Sequence, residues 1–462
     1  MKALTGDEIR RAVCGKWLSR KKRVPLTGVS IDSRTARQDD LFVAIRGEKH
    51  DGHDYLADAV EKGCLAAIVD SRHDISEELL KGFYTGVIVV EDTREALLDL
   101  GGYYRSVMSA TLVAVTGSNG KTTVKNMIDH VLSKRYEGTS GAESYNNEIG
   151  LPLTILSAGG TGDYVVCEIG TSNPGEINRL SGVARPDIGV ITSIAPSHVE
   201  GLGTVESIAA EKGSMMGWLG NDKTGIVCAD NPELNRVLQG CETKLISFGI
   251  SRDADLRLTD YRRESWGQLF LINDYLPVRL GIPGKHNALN AIAAIAVCAR
   301  FGFSMEDAAE ILSDYRLPPM RLERQCLDSI QLINDSYNAN PGSVAAAIEV
   351  VSEDSSGRLV AVIGDMLELG DDSESLHEKI GDLVASRGFG LVVGVGDMGA
   401  VVARRAADHG IDTAVFPDAS KAGRALGGLV RKGDTVLIKG SRAMKLESLV
   451  SGVEKIAKSF KK

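Results

Sequence analysis

The sequence predicts an α/β protein of three domains, and three observations carry that expectation. Its 462 residues exceed what one ordinary core organises, since a domain usually takes ~100–200 residues. Apolar runs of strand length recur along the whole chain and alternate with helix-like stretches, the pattern of mainly parallel sheets covered by helices. A proline-bearing segment, Leu317-Pro-Pro-Met320, disfavours a continuing helix and sets the last third apart. The expected units are a small α/β domain over residues 1–105, a central domain with a mainly parallel sheet over 106–317, and a Rossmann-like α/β domain over 318–462.

Taken in order, the first unit has β-rich runs at Val29–Ile31, Leu41–Ile45, Ala66–Val69 and Val87–Val90, with a helical stretch from Tyr55 to Lys62. The second opens with Thr111-Leu-Val-Ala-Val115, apolar enough for a strand buried on both faces, then a glycine turn and a helical pattern from Thr122 to Ser133. Strand-like runs follow at Tyr164–Ile169, Ile188–Thr192, Gly225–Ala229 and Leu245–Phe248, and an Ala-rich helix spans Asn287 to Arg300. Past the prolines, buried-strand runs occur at Val360–Ile363, Leu391–Val395, Thr413–Phe416 and Thr435–Ile438.

Composition narrows the function classes. With 53 Lys+Arg against 62 Asp+Glu, the net charge of -9 argues against a nucleic-acid partner. The seven cysteines are scattered, never as C-x-x-C, which points to a reduced compartment without a zinc knuckle. Met1–Glu8 lacks the basic start of a signal peptide, and no run of 18 apolar residues occurs, so a cytoplasmic protein without membrane insertion is expected. Glycine, at 51 residues or about 11% against the usual ~7%, is in excess.

Part of that excess has a chemical reason. Thr116-Gly117-Ser118-Asn119-Gly120-Lys121-Thr122-Thr123 lies between an expected buried strand and a helix. Glycines let backbone N–H groups curl around phosphate oxygens, and the helix N-terminus adds partial positive charge. Lys121 can then reach the β/γ-phosphates and the Thr122 hydroxyl can ligate Mg²⁺. The loop is a short G-x-x-G-K-T variant, with Val115 where the common motif has its first glycine. Glu168 closes another expected strand, where parallel sheets put their ligand sites, and is the first candidate for Mg²⁺. His198, in Ala195-Pro-Ser-His198, follows a third strand end; alone it reads as a surface or core-edge histidine. Lys212, on an expected helix, is by default solvated.

In this order the motifs resemble the Mur ligase family, the ATP-dependent amide-forming enzymes of peptidoglycan precursor synthesis. The similarity runs through Ser30-Ile-Asp32-Ser33-Arg34, Leu41–Gly47, His50-Asp-Gly-His53, the phosphate loop, Tyr145–Thr154 and Gly284–Asn290. It continues through Asn334–Pro341, Gly364-Asp-Met-Leu-Glu368-Leu-Gly370 and Lys439–Met444. The D-S-Y-N-A-N-P and G-D-M-L-E-L-G blocks look like the dipeptide-adding branch. Departures from the family pattern are Ser193 for a usual Asn, Gly213-Ser-Met-Met216 for a usual acidic stretch, and Asp39 for a usual Gly.

The resemblance implies roles that the residues alone do not. Asp32, Ser33 and Arg34 would face the uridine diphosphate end of the substrate, with Asn146 and Asn147 near its sugar and peptide. Gly117, Ser118, Asn119, Gly120, Lys121, Thr122 and Thr123 would cradle ATP, with His286 and Asn287 near adenine and Arg321 and Asp335 reaching over from the C-terminal domain. Thr122, Glu168 and His198 would hold Mg²⁺, and Lys212 would carry a carbamate, which turns a cation into a metal-bridging anion. Lys121, Lys212, Glu168, His198 and Arg321 would form the catalytic set. The implied partners are small molecules, UDP-N-acetylmuramoyl-tripeptide, D-alanyl-D-alanine and ATP, and the protein itself is expected to be a monomer. Two alternatives stay open. One is another ligase of the superfamily, third-residue-adding or folylpolyglutamate synthase-like; the other is a nucleotide-dependent regulatory or binding protein on the same scaffold.

Overall fold

The computed structural model describes residues 1–142, 145–265, 267–327, 330–354 and 357–459. They fold as three α/β units in chain order, each around its own sheet. The first sheet comprises β1 (Lys16–Arg20), β2 (Gly28–Ser30), β3 (Asp40–Val43), β4 (Ala66–Asp70) and β5 (Gly86–Val90), in the order β1-β5-β4-β3-β2. β2 to β5 pair in parallel and β1 closes one edge antiparallel. Asp39, at the position where the family usually has Gly, stands at φ 67, a conformation that a short polar side chain tolerates better than a bulky one.

The helix Thr93–Val107 leaves this sheet and fuses the first unit to the second. The Asp92 carboxylate caps it by accepting the N–H groups of Arg94 and Glu95. Its apolar face, including Leu97, Leu100 and Tyr104, joins Leu151, Ile155 and Ile177 of the second unit in one buried cluster. The Tyr104 hydroxyl donates to the Ala158 carbonyl at 2.8 Å, and Arg105 pairs with Asp187 at 2.7 Å.

The central sheet contains β6 (Thr111–Thr116), β7 (Gly138–Ser140), β8 (Tyr164–Glu168), β9 (Ile188–Ile191), β10 (Thr224–Cys228), β11 (Lys244–Gly249), β12 (Leu256–Glu264), β13 (Gly267–Ile272) and β14 (Leu276–Leu280). Its order is β14-β13-β12-β11-β10-β9-β6-β8-β7. β6 therefore lies between β8 and β9, at a point where the chain's connections turn in opposite directions, and such points open a crevice at the strands' C-terminal ends. The sheet is parallel up to the β11–β12 pair, but β12, β13 and β14 form an antiparallel meander that the apolar runs do not reveal. The reason is visible in β14, where Leu276, Val278 and Leu280 are buried while Pro277 and Arg279 between them are exposed. One face meets the helix Lys285–Arg300 and the other meets water, so alternation replaces a continuous apolar run.

The third sheet holds β15 (Glu323–Leu327), β16 (Ile330–Asn334), β17 (Leu359–Gly364), β18 (Leu391–Val395), β19 (Asp412–Phe416) and β20 (Thr435–Lys439), ordered β15-β16-β20-β17-β18-β19. Only β15 runs antiparallel to its neighbour. Two apolar clusters cover its faces, as a doubly wound sheet requires. The Leu317–Met320 stretch joins the units with no helix or strand, and Leu317 packs at the margin of both the central and the C-terminal clusters. Among the described residues, no helix is long and apolar enough to cross a membrane.

Candidate active site

The crevice beside β6 begins with two glycines that no other residue could replace without movement. Gly117 has φ 148, and an added Cβ would stand 2.0 Å from Thr192 Oγ1; at Gly120, φ 83, it would stand 2.4 Å from Asn290 Oδ1. The loop between them leads into the helix Lys121–Leu132, whose first N–H groups lack intrahelical partners and suit an anion. Ser118 and Asn119 are tied to the strand-end segment 193–197: Ser118 Oγ donates to the Ala195 carbonyl at 2.8 Å, and the Asn119 N–H donates to Ser193 Oγ at 3.1 Å. The serine standing for the family's usual asparagine thus holds the loop by its hydroxyl. Lys121 folds back so that Nζ donates to the Gly117 carbonyl at 2.8 Å. Burial and the nearby Arg321 guanidinium pull its pKa below the ordinary lysine value, against the attraction of Glu168.

Glu168, at the C-terminal end of β8, is only 2% exposed. Its two carboxylate oxygens accept hydrogen bonds from the Thr122 hydroxyl at 2.7 Å and the Asn146 amide at 2.9 Å. Arg321 of the third unit reaches the same hydroxyl at 3.1 Å, so residues of two units meet at one atom. Its guanidinium lies over the Tyr337 ring at 4.2 Å, which holds it flat beside the phosphate loop. Asn340 adds another contact across the seam, and Lys439 orders the third unit's own side of it. The Asn340 amide donates to Asn119 Oδ1 at 2.7 Å, and buried Lys439 pairs with Asp335 at 2.6 Å while donating to the Asn338 carbonyl at 3.0 Å.

These groups line one cavity of about 980 Å³ between the central and C-terminal units. Lys121, Thr122, Asn146, Asn147, Glu168, His198, His286, Asn287, Arg321 and Asp335 all face it. Asn287 is buried and fixed by the hydrogen bond its side-chain amide donates to the Pro283 carbonyl, whereas His286 beside it is exposed. Asp32, Ser33 and Arg34 do not line this cavity. They follow β2 in the first unit, where the Arg34 guanidinium holds the Asp32 carboxyl below its usual pKa.

Lys212 overturns the default expectation of a solvated helix lysine. It is 1% exposed, on the face of the helix Val205–Gly213 that also buries Ile208 and Ala209. Four and three residues before it, those two apolar side chains mark the inward stripe, so the lysine's position was a readable signal. Its neighbour Glu211 is engaged elsewhere, accepting the N–H groups of Gly175 and Ile177 at 2.8 Å each. Burial, with Lys121 adding repulsion, pulls the Lys212 pKa from 10.5 to about 7. Lowering the pKa enlarges the fraction present as the neutral, nucleophilic amine. Nothing local marks Tyr337, Asn340 or Lys439 as site residues: Tyr337 and Lys439 meet Arg321 and Asp335 only once the third unit has folded, and Asn340 acts across the seam.

Two oxygen donors in this cavity, the buried Glu168 carboxylate and the Thr122 hydroxyl on the first turn of the phosphate-loop helix, suit a hard divalent cation, and His198 adds an imidazole, a ligand such ions take less often.

Comparison with known proteins gives matches along most of the chain. Residues 25–105 match the Mur ligase family catalytic domain, 115–298 the Mur ligase middle domain, and 320–442 the Mur ligase glutamate ligase domain. The UDP-N-acetylmuramoyl-tripeptide–D-alanyl-D-alanine ligase of Bacillus subtilis is 38% identical over 92% of this chain and 92% of its own length. The solved structure of MurF from Acinetobacter baumannii superposes with a TM-score of 0.88 at 28% identity, covering 98% of this chain and 99% of that one. MurF ligase from Thermotoga maritima, solved in complex with ADP, gives a TM-score of 0.80 at 26% identity over 94% of this chain and 98% of its own. With its phosphate loop, buried lysine and inter-unit cavity assembled on that architecture, the chain belongs to the Mur ligase family.

Proposed function

We infer that this protein is an ATP-dependent, ADP-forming ligase that joins D-alanyl-D-alanine to UDP-N-acetylmuramoyl-tripeptide, giving the pentapeptide precursor of peptidoglycan. The observation that carries this reading is the cavity that sets the phosphate loop against Arg321 and the D-S-Y-N-A-N-P block, in a chain 38% identical to a ligase of that name.

A carboxylate and an amine do not condense usefully in water, so the carboxylate must first acquire a leaving group. The tripeptide's terminal carboxylate attacks the γ-phosphorus of ATP, the bond to the bridging oxygen breaks, and ADP leaves. Lys121, the loop N–H groups and Arg321 offset charge on the transferring phosphoryl group. The neutral dipeptide amine then attacks the acyl carbon, the C–O bond to phosphate breaks as the amide forms, and the proton lost from nitrogen leaves with the phosphate or to water. Thr122, Glu168 and His198 would hold Mg²⁺, which supplies charge neutralisation at the phosphates when bound. The neutral fraction of Lys212 is what CO₂ would capture to make a carbamate, adding an anionic ligand to that set. His286 and Asn287 flank the adenine side, Asp335 the ribose side, Asn146 and Asn147 the sugar and peptide, and Asp32, Ser33 and Arg34 the uridine diphosphate. One chain builds the whole cavity, so a monomer suffices, and the free cysteines among the described residues suit the cytoplasm.

The test is phosphate release with UDP-N-acetylmuramoyl-tripeptide, ATP and D-alanyl-D-alanine, each omitted in turn. Release should need all three. Equal release with a single amino acid in place of the dipeptide would overturn the assignment, and ATP binding without any release would favour a regulatory protein.

A further inference from the structure

The G-D-M-L-E-L-G block takes no part in the mechanism above, yet the structure holds it with unusual care. Asp365 accepts N–H groups from Met398 and Gly399 through Oδ1 at 2.9 and 2.8 Å, while its carbonyl accepts the Ser441 N–H at 3.0 Å. The Met366 N–H donates to Nε2 of buried His377 at 3.0 Å, and the Leu367 N–H donates to Ser441 Oγ at 3.0 Å. Three consecutive residues are thus pinned to the third unit. The fourth, Glu368, is turned into the left-handed region at φ 64 and crosses the seam between units.

What it meets is His198. The Glu368 carboxylate pairs with His198 Nδ1, and the Glu368 carbonyl lies 3.4 Å from the Glu200 N–H. His198 is itself left-handed, φ 53, so both partners adopt a backbone region uncommon outside glycine, one that histidine enters more readily than glutamate. Such strain persists only where surrounding contacts over-determine it. A carboxylate can only accept, so Nδ1 carries a proton in this pair, and a neutral ring then has its lone pair on Nε2, on a side chain that lines the cavity.

We propose that Glu368 is a positioning residue for His198: closing the C-terminal unit brings its carboxylate onto Nδ1, which fixes the tautomer and aim of the imidazole. The histidine is thereby prepared for its work only when the third unit is in place. This rests on the reading that His198 serves the phosphoryl-transfer site.

The test uses the full chain labelled with ¹⁵N-histidine, with His198→Ala to assign the resonance. In the wild type His198 should show a protonated Nδ1 and an unprotonated Nε2, without nucleotide or metal. Glu368→Gly accepts the left-handed backbone and so keeps the fold while removing the carboxylate; His198 should then shift toward the Nε2–H form. Glu368→Gln, whose amide oxygen can still accept, should keep the wild-type tautomer. In ligation assays Glu368→Gly should lower kcat/KM about 10–100-fold, the range for loss of such an outer partner, and should cost nothing further in a His198→Ala background. An unchanged tautomer in Glu368→Gly, or an equal loss in both backgrounds, overturns the proposal. His198→Ala with wild-type ligation would instead overturn the role of His198 on which it rests, and the tautomer readout would still judge Glu368.

Discussion

The buried ammonium of Lys212 ties stability to pH in a way no surface lysine does. Its pKa falls from 10.5 to about 7, chiefly through burial. A base with a folded pKa below its unfolded value binds fewer protons when folded, so stability is lowest below about pH 7 and recovers as pH rises toward 10.5. At about 1.4 kcal/mol per tenfold, holding Lys212 in place costs the folded state roughly 5 kcal/mol at pH 6 and about 2 kcal/mol at pH 9. Lys212→Met keeps the stem and removes the charge. The variant should therefore exceed the wild type in stability by about 3 kcal/mol more at pH 6 than at pH 9. Urea unfolding followed by circular dichroism in CO₂-free buffer reads this as a change of about 1 M in the gap between midpoints. A gap that is the same at both pH values would refute the argument that the lysine is held in a desolvated place.

Three other outcomes are expected. Lys121→Ala removes the phosphate-loop cation and should abolish ATP-dependent phosphate release; wild-type turnover would reject the loop's role. Lys212→Ala should be nearly inactive and partly recovered by short-chain carboxylic acids in the same assay, whereas activity indifferent to the substitution would sink the carbamate. Lys439→Met strands the Asp335 carboxylate without its counter-charge, and should destabilise the protein by about 3–5 kcal/mol in thermal melts. A change below about 1 kcal/mol would mean that Asp335 has another way to be satisfied.

The parts of this molecule that are legible from sequence are those where one local pattern meets one physical demand. β6 and β8 are buried on both faces, so continuous apolar runs announced them, and Glu168 fell at a strand end as expected. The phosphate loop is readable because its glycines must turn where a Cβ would collide. The meander β12–β14 is not legible as an apolar run because its buried positions are interrupted by partly or fully exposed ones. Lys212 was misjudged by residue type, although Ile208 and Ala209 placed it on an apolar stripe. Arg321 and Asp335 came only through family resemblance, and Lys439 and Glu368 not at all. Each of them acts across a junction between residues more than 100 positions apart, and no local window contains that information.

The two seams of the molecule differ in chemistry, and that difference says which parts can move. The helix Thr93–Val107 welds the first two units through a shared oily interior, so separating them would expose apolar surface to water. The third unit meets them through Arg321 with Thr122, Asn340 with Asn119, Glu368 with His198, and Arg263 with the Val350 carbonyl. Every one of those groups can exchange its partner for solvent at small net cost. The first two units should therefore travel as one anvil and the third as a hammer pivoting near Leu317, with water as the lubricant between strokes. An inhibitor that satisfies both rows of polar groups at once would arrest the stroke, whereas one bound to a single row would ride along with it.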